Sequence, residues 1–134
     1  MPEKAKAIDT NLIIRFLVED DVKKADAVEK LLKKAEKEKI EIPDVIFAEI
    51  AWVLLSFYAL NKKDVVEKLE GLLGLKFIKM NRDILEKTVE IFNNFNVSYI
   101  DAYLVAYALE NNQGVIYSFD KGFDKIKQIT RIEP

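Results

Sequence analysis

Strand-like segments alternate with helix-like segments along the whole chain, and this alternation limits the fold more than any other feature. The strand-like runs are 5–8, 40–42, 75–78, 115–117 and 128–132. Apolar residues at helical spacing predict helices over 11–18, 22–35, 43–60, 61–73, 84–95 and 99–110. Asp20 or Asp21 is placed to cap the second of these helices, and Asn61 the fourth. Such alternation implies a three-layer α/β/α fold, in which helices cover a mostly parallel sheet of four or five strands.

A single domain over residues 1–134 is expected, because no repeat, low-complexity tract or flexible linker interrupts the chain. Hydrophobic residues make up 50% of the sequence and charged residues 33%, as in soluble globular proteins. The longest apolar run, 45–60, is short for a membrane span and contains Glu49. With no secretory signal in the sequence, we expect a cytoplasmic protein without a membrane segment.

Two residue types are absent, and their absence narrows the chemistry. Without cysteine there can be no disulfide, thiolate zinc site or cysteine nucleophile. Without histidine, the usual general base and nearly all zinc enzymes are excluded. Carboxylate oxygens are hard ligands that suit Mg²⁺ or Mn²⁺. With cysteine and histidine chemistry excluded, a carboxylate-bound metal is the class of catalytic site that we expect first. The net charge of −2 predicts no general attraction to nucleic acid, which would need a local basic patch or a metal.

Two acids stand at strand ends. Asp9 follows the first strand, and Asp120 follows the fourth after two intervening residues. Ligands of parallel sheets bind beyond the carboxyl ends of the strands, so both acids are candidate site residues. Each is equally well placed to cap the helix-like segment that follows it, and the sequence leaves this alternative open.

Two further acids interrupt apolar helices. Glu49 is the only charge between residues 44 and 62, and Asp101 has no charged neighbour until Glu110. We expect both to be buried, where an unpaired carboxylate would cost several kcal/mol. A buried Lys or Arg, or a capping contact, would be the structural explanation. A divalent metal shared by all four acids would relieve both the burial cost and their mutual repulsion.

Four segments carry a family resemblance: IDTNLIIRFL at 8–17, IPDVIFAEIAWVL at 42–54, VSYIDAYLVAYAL at 97–109 and VIYSFDKGF at 115–123. Together they resemble the PIN-domain ribonucleases, in particular the VapC-type toxins of prokaryotic toxin–antitoxin pairs. The resemblance covers essentially the whole chain. It implies that the catalytic metal ligands are Asp9, Glu49, Asp101 and Asp120.

The resemblance also assigns supporting roles. Thr10 and Asn11 would shape the loop around the first acid, and Ser118 would hydrogen-bond a carboxylate or the attacking water. Many relatives have an additional acid at the positions of Ser98 and Gly122. We therefore expect one firmly held Mg²⁺ or Mn²⁺, with a second ion arriving with the substrate.

Asp124 is a candidate replacement for a missing acid, and a surface carboxylate is the alternative. Arg15, Lys121 and Lys125 are candidate RNA contacts, although a solvated surface charge is the ordinary explanation of each. Trp52, Phe57 and Tyr58 are spread around one helix, which indicates a homodimer seam or a groove for an antitoxin helix.

The function expected is a Mg²⁺- or Mn²⁺-dependent endoribonuclease, acting as a toxin that an antitoxin protein blocks. A housekeeping RNA-processing nuclease, or a degenerate PIN module that binds RNA or protein without catalysis, are the alternatives. A phosphatase of the haloacid dehalogenase type needs a second Asp where this chain has Asn11. A response-regulator receiver needs paired acids at its first strand, which are not present here.

Overall fold

The computed structural model describes residues 4–18, 21–34 and 39–134. Its elements are β1 (Lys6–Ala7), α1 (Thr10–Val18), α2 (Val22–Lys33), β2 (Ile40–Glu41), α3 (Asp44–Ser56), α4 (Lys62–Leu73), α5 (Arg82–Asn94), α6 (Tyr99–Asn111), β3 (Val115–Tyr117), a 3₁₀ helix (Lys121–Lys125) and β4 (Thr130–Ile132). The strands pair in parallel, so the predicted mixed α/β fold is confirmed. Residues 1–81 and residues 82–134 form two compact units.

In the first unit, β1 pairs with β2, with Lys6 opposite Ile40. The ladder continues past β1, because the amide of Ile8 donates to the carbonyl of Glu41 at 3.1 Å. Lys79 adds a parallel bridge to Glu41 on the other side of β2. The strand ladder therefore delivers the chain directly to residue 9.

The strand predicted at 75–78 is wrong. The segment is a turn, in which the amide of Ile78 donates to the carbonyl of Leu75 at 3.0 Å. Pairing is confined to Lys79, whose amide donates to Ile40 at 2.8 Å and whose carbonyl accepts from Ile42 at 3.0 Å. The described strands thus form two two-stranded ladders, one in each unit.

The core of the first unit forms where α3 packs against α1 and α4. Phe47, Ile50 and Leu54 of α3 are fully buried, and each such side chain stabilises the fold by about 1.5–3 kcal/mol relative to exposure. Lys68 of α4 donates from Nζ to the carbonyl of Leu17 at 3.1 Å. This contact supplies a cation to the C-terminal end of α1, where carbonyls lack helical partners.

Helix ends largely follow the predicted caps. Asn61 accepts from the amide of Asp64 at 2.8 Å, and Asp21 from that of Lys24 at 3.2 Å. Asp20, the other predicted cap, and Ala35, at the expected end of the second helix, lie outside the described residues. α3 ends at Ser56 rather than at residue 60, and the chain leaves it through Ala59 with φ 51°.

In the second unit, α5 packs against α6, and β3 pairs with β4. Gly114 connects α6 to β3 with φ +76°, a conformation that favours glycine. A Cβ at this position would lie 2.5 Å from the carbonyl oxygen of Gln128, so side chains are excluded here. β3 then leads at its carboxyl end to residues 118–120. No helix in the described part of the chain is both long enough and apolar enough to cross a membrane.

Candidate active site

Asp9 and Glu49 line one hollow in the first unit. Asp9 comes directly after the β1 ladder, and Glu49 lies in the second turn of α3. The hollow has a volume of about 220 Å³, and Thr10 and Asn11 line it beside the two acids. Ile14, Ile46 and Val53 complete its wall. Two predicted site acids that are far apart in sequence therefore face the same small space.

Glu49 is exposed, so the expectation that its helix buries it is wrong. The prediction assumed that a helix this apolar is covered on all sides. Large apolar side chains of α3 and of the residue after it are in fact exposed to solvent, as Glu49 is. Trp52 is 63% exposed and Phe57 is 78% exposed, while Tyr58 is half-buried. Asp101 is also half-buried rather than enclosed. The positions of these acids in the fold, and not a cost of burying them, therefore indicate a functional role.

Asp9 caps α1. Its Oδ1 accepts a hydrogen bond from the amide of Leu12 at 3.1 Å. The capping alternative is thus confirmed, and it fixes the orientation of the carboxylate through one oxygen. Capping and metal binding are compatible, because the side chain is exposed and a carboxylate has further lone pairs to offer.

Thr10 places a buried hydroxyl in the wall of the hollow. The residue is 7% exposed, and its Oγ1 has no hydrogen-bond partner among the described residues. A buried hydroxyl without a partner costs about 1–3 kcal/mol, so such groups are uncommon and call for an explanation. Asn11 is exposed and lies between this hollow and a second one of about 450 Å³.

Asp120 lies in a tight turn after β3. Its amide donates to Oγ of Ser118 at 2.9 Å, and its Oδ1 accepts from the amide of Gly122 at 2.8 Å. Capping of the 3₁₀ helix is therefore confirmed for this acid as well. Ser118 accepts the backbone N–H of Asp120 and so holds the turn, and its expected contact with a carboxylate or water stays a prediction.

Gly122 permits the turn around Asp120. A Cβ at residue 122 would come within 2.9 Å of the Asp120 Oδ1, closer than real Cβ atoms approach an oxygen. Glycine thus allows the carboxylate to fold back onto the backbone amide. This gives a physical reason why residue 122 is a glycine and not the additional acid that many relatives have there.

Ser98 caps α6, the helix that carries Asp101. Oγ of Ser98 accepts from the amide of Asp101 at 3.1 Å. Asp101 therefore lies in the first turn, where the helix dipole favours a negative charge. At residue 98, where many relatives have an acid, this chain therefore has a serine that fixes the start of α6 beside Asp101.

Asp124 pairs with Arg131 of β4. Nε of Arg131 lies 3.0 Å from Oδ1 and Nη2 lies 3.2 Å from Oδ2, so both carboxylate oxygens are engaged. This hydrogen bonding is the main reason that the pKa of Asp124 falls below its ordinary value. It also raises the pKa of Arg131. Both carboxylate oxygens of Asp124 are therefore engaged by Arg131, and its role as a replacement ligand stays a prediction.

Each unit supplies two of the four predicted acids, Asp9 and Glu49 in the first and Asp101 and Asp120 in the second. Within residues 4–18, 21–34 and 39–134, no three acidic side chains form a cluster that could hold a metal ion.

The PIN domain family matches residues 6–129. The match extends from β1 to the residue before β4 and includes all four acids. The chain belongs to the PIN domain family. PIN domains are generally nucleases, and they typically use a divalent metal ion. A search of curated proteins finds no match to this chain.

The candidate RNA contacts of this PIN domain differ in their surroundings. Lys125 donates from Nζ to the carbonyl of Asn96 at 2.9 Å, which ties the 3₁₀ helix to the turn before α6. Lys121 is exposed beside Asp120. Arg15 is half-buried and lines the larger hollow together with Asn11 and Lys24. Lys121 and Arg15 remain candidates, and the ammonium of Lys125 is engaged by the carbonyl of Asn96.

Arg131 is the residue that the sequence analysis missed. It is one of three arginines in the chain and stands alone in an otherwise uncharged short strand, a signal that could have identified it. In this PIN domain its guanidinium also donates from Nη1 to the carbonyl of Ser118 at 3.0 Å. It thus contacts residues on both sides of Asp120.

Proposed function

We propose that this PIN domain is an endoribonuclease that depends on Mg²⁺ or Mn²⁺. The observation that carries the proposal is the hollow that Asp9 and Glu49 share, at the end of a parallel strand ladder. The family match supports adding Asp101 and Asp120 as the remaining ligands. One ion would be held firmly, and a second would arrive with the substrate.

The residues present fit a hard divalent cation. Every proposed ligand is a carboxylate, and the chain offers no histidine or cysteine that would favour zinc. The buried hydroxyl of Thr10 in the wall of the hollow adds an oxygen that lacks a protein partner among the described residues. When bound, the metal would supply an activated water and would stabilise charge on the phosphodiester.

The chain's own residues prepare the ligands. The cap contact with the Leu12 amide fixes the Asp9 carboxylate, and the Gly122 amide fixes that of Asp120. Ser98 fixes the turn of α6 from which Asp101 projects. Preset ligands of this kind lose little conformational freedom when the ion binds. Arg15 and Lys121 are the cations proposed to contact RNA phosphates.

We further propose that the protein is a VapC-type toxin that acts in the cytoplasm and that an antitoxin protein blocks. Trp52 on α3 and Phe57, the residue directly after α3, expose the apolar area that a homodimer seam or an antitoxin helix would cover. Production of the protein in cells should arrest growth, and the product of an adjacent small gene should restore it. Unimpaired growth at high yields of active nuclease would contradict the toxin role.

The nuclease proposal is tested by RNA cleavage with Mg²⁺ or Mn²⁺, and with EDTA as the metal-free control. Asp9→Asn and Asp101→Asn should each lower cleavage by about 100-fold or more, since loss of groups that merely orient metal ligands already costs about 10–100-fold. Asp26→Asn removes an exposed carboxylate of α2 and is the matched control. Cleavage that persists in both variants, or in EDTA, would contradict the proposal.

A further inference from the structure

The segment 118–124 attaches Asp120 to the sheet. Asp120 is hydrogen-bonded to Ser118 and Gly122, each two residues away, and its carbonyl accepts from the amide of Phe123 at 3.4 Å. Such short-range contacts shape the tip of the turn. They do not join the tip to β3 or β4. The amide of Ser118 donates to the carbonyl of Ile132 at 3.1 Å and joins the start of the segment to β4, so the end at residue 124 is the part that needs a further support.

Arg131 provides contacts on both sides of this segment. Before Asp120, Nη1 donates to the carbonyl of Ser118 at 3.0 Å. After it, Nε and Nη2 hold the two oxygens of Asp124 at 3.0 Å and 3.2 Å. Nη1 also lies 3.0 Å from Oε1 of Glu133, outside the segment.

The guanidinium suits this task because of its shape. Its five N–H donors lie in one plane with fixed directions, so it can contact a carbonyl and both oxygens of a carboxylate at once. The side chain is only 12% exposed, which limits its alternative conformations. A lysine ammonium is a single point of contact and could not hold both ends of the segment.

We propose that Arg131 is a positioning residue for Asp120: it fastens both ends of the 118–124 segment to β4 and so presents the Asp120 carboxylate to the metal ion. The inference rests on the proposed function, because it assumes that Asp120 is a ligand. In this role Arg131 contacts neither the metal ion nor RNA. Its effect reaches the site through the backbone of the segment.

The test measures Mn²⁺ affinity by calorimetry on the folded full-length protein, with RNA cleavage alongside. Arg131→Lys keeps the positive charge but loses the several fixed N–H donors of the guanidinium. Asp124→Asn keeps Arg131 but removes the charge from the carboxylate that it contacts in the segment. Both should bind Mn²⁺ about 10–100-fold more weakly, the usual effect of removing a group that orients a metal ligand. The double variant should bind no more weakly than Arg131→Lys alone, because both changes break one contact.

Glu133→Gln is the matched control, because it changes an acceptor of the same guanidinium outside the segment. It should keep wild-type Mn²⁺ affinity. A solely structural role for Arg131 would lower the melting temperature of Arg131→Lys and leave its Mn²⁺ affinity unchanged, which would overturn the proposal. If Arg131→Lys fails to fold, Asp124→Asn decides by the same criterion.

Asp120→Asn distinguishes failure of the proposed ligand set from failure of the positioning role of Arg131. If it binds Mn²⁺ as tightly as the wild type, Asp120 is not a ligand, and the proposed ligand set falls together with the role of Arg131. If it weakens binding while Arg131→Lys and Asp124→Asn do not, only the positioning role is overturned.

Discussion

The Asp120 carboxylate accepts a hydrogen bond from the Gly122 amide at 2.8 Å, and a Cβ at residue 122 would come within 2.9 Å of the accepting oxygen. Gly122→Ala should therefore push the carboxylate out of its capping position. We expect weaker Mn²⁺ binding and slower RNA cleavage, with a loss of about 1 kcal/mol of stability from the weakened cap. Calorimetry and urea unfolding would measure these effects.

Gly71→Ala is the control for that substitution. Gly71 lies inside α4, and a Cβ there would meet no atom within 4 Å. Alanine should raise the free energy of unfolding by about 0.5–1 kcal/mol, because glycine is a poor helix residue, and Mn²⁺ affinity should not change. Equal Mn²⁺ affinities in the two glycine variants would contradict the steric account of Gly122.

Gly114→Ala should destabilise the protein more than either of these changes. Position 114 has φ +76°, and the new Cβ would lie 2.5 Å from a backbone oxygen, that of Gln128, which cannot rotate away as a side chain can. Strain of this kind costs about 1–3 kcal/mol. A melting temperature equal to that of the wild type would show that the connection between α6 and β3 tolerates side chains.

Ser98→Ala should lower the free energy of unfolding by about 1 kcal/mol, the usual effect of losing a helix cap. It should also weaken Mn²⁺ binding, because the cap fixes the turn that carries Asp101. Asn61→Ala removes an equivalent cap from α4, which carries none of the proposed ligands. The second variant should lose similar stability and keep its Mn²⁺ affinity, and a parallel loss of affinity in both would contradict the account.

Asp124 should contribute stability that disappears in acid. Arg131 lowers the pKa of this carboxyl below its ordinary value of 3.8, so the folded protein favours the ionised form. The contribution is therefore complete above the ordinary pKa and is lost as the pH falls through the lowered, native value. Urea unfolding of the wild type and Asp124→Asn should differ at pH 7 and converge in strong acid. A difference that stays constant with pH would contradict the pairing.

Residue patterns that act locally could be predicted from the sequence. Helical spacing located the helices, and Asn61 was recognised as a cap because a capping side chain contacts an amide three residues away. The capping alternatives for Asp9 and Asp120 were confirmed for the same reason. The short strands were found within a few residues of their observed bounds, with 75–78 as the exception.

Properties that depend on tertiary packing could not be predicted in this way. An apolar helix does not reveal which of its faces another element covers, so Glu49 was expected to be buried and is exposed. The segment at 75–78 has the composition of a strand, but strand pairing is limited to the next residue, Lys79, which forms a bridge with Glu41. The contact between Asp124 and Arg131 joins the 3₁₀ helix to β4, and no local pattern predicts it.

The central proposal is that Asp9, Glu49, Asp101 and Asp120 hold one metal ion, and calorimetric titration with Mn²⁺ tests it most directly. The wild type should bind Mn²⁺ at a defined stoichiometry. Asp9→Asn and Asp101→Asn should each weaken that same binding event, while Asp26→Asn leaves it intact. Unchanged Mn²⁺ affinity in either Asp9→Asn or Asp101→Asn, or no stoichiometric binding by the wild type, would contradict the claim.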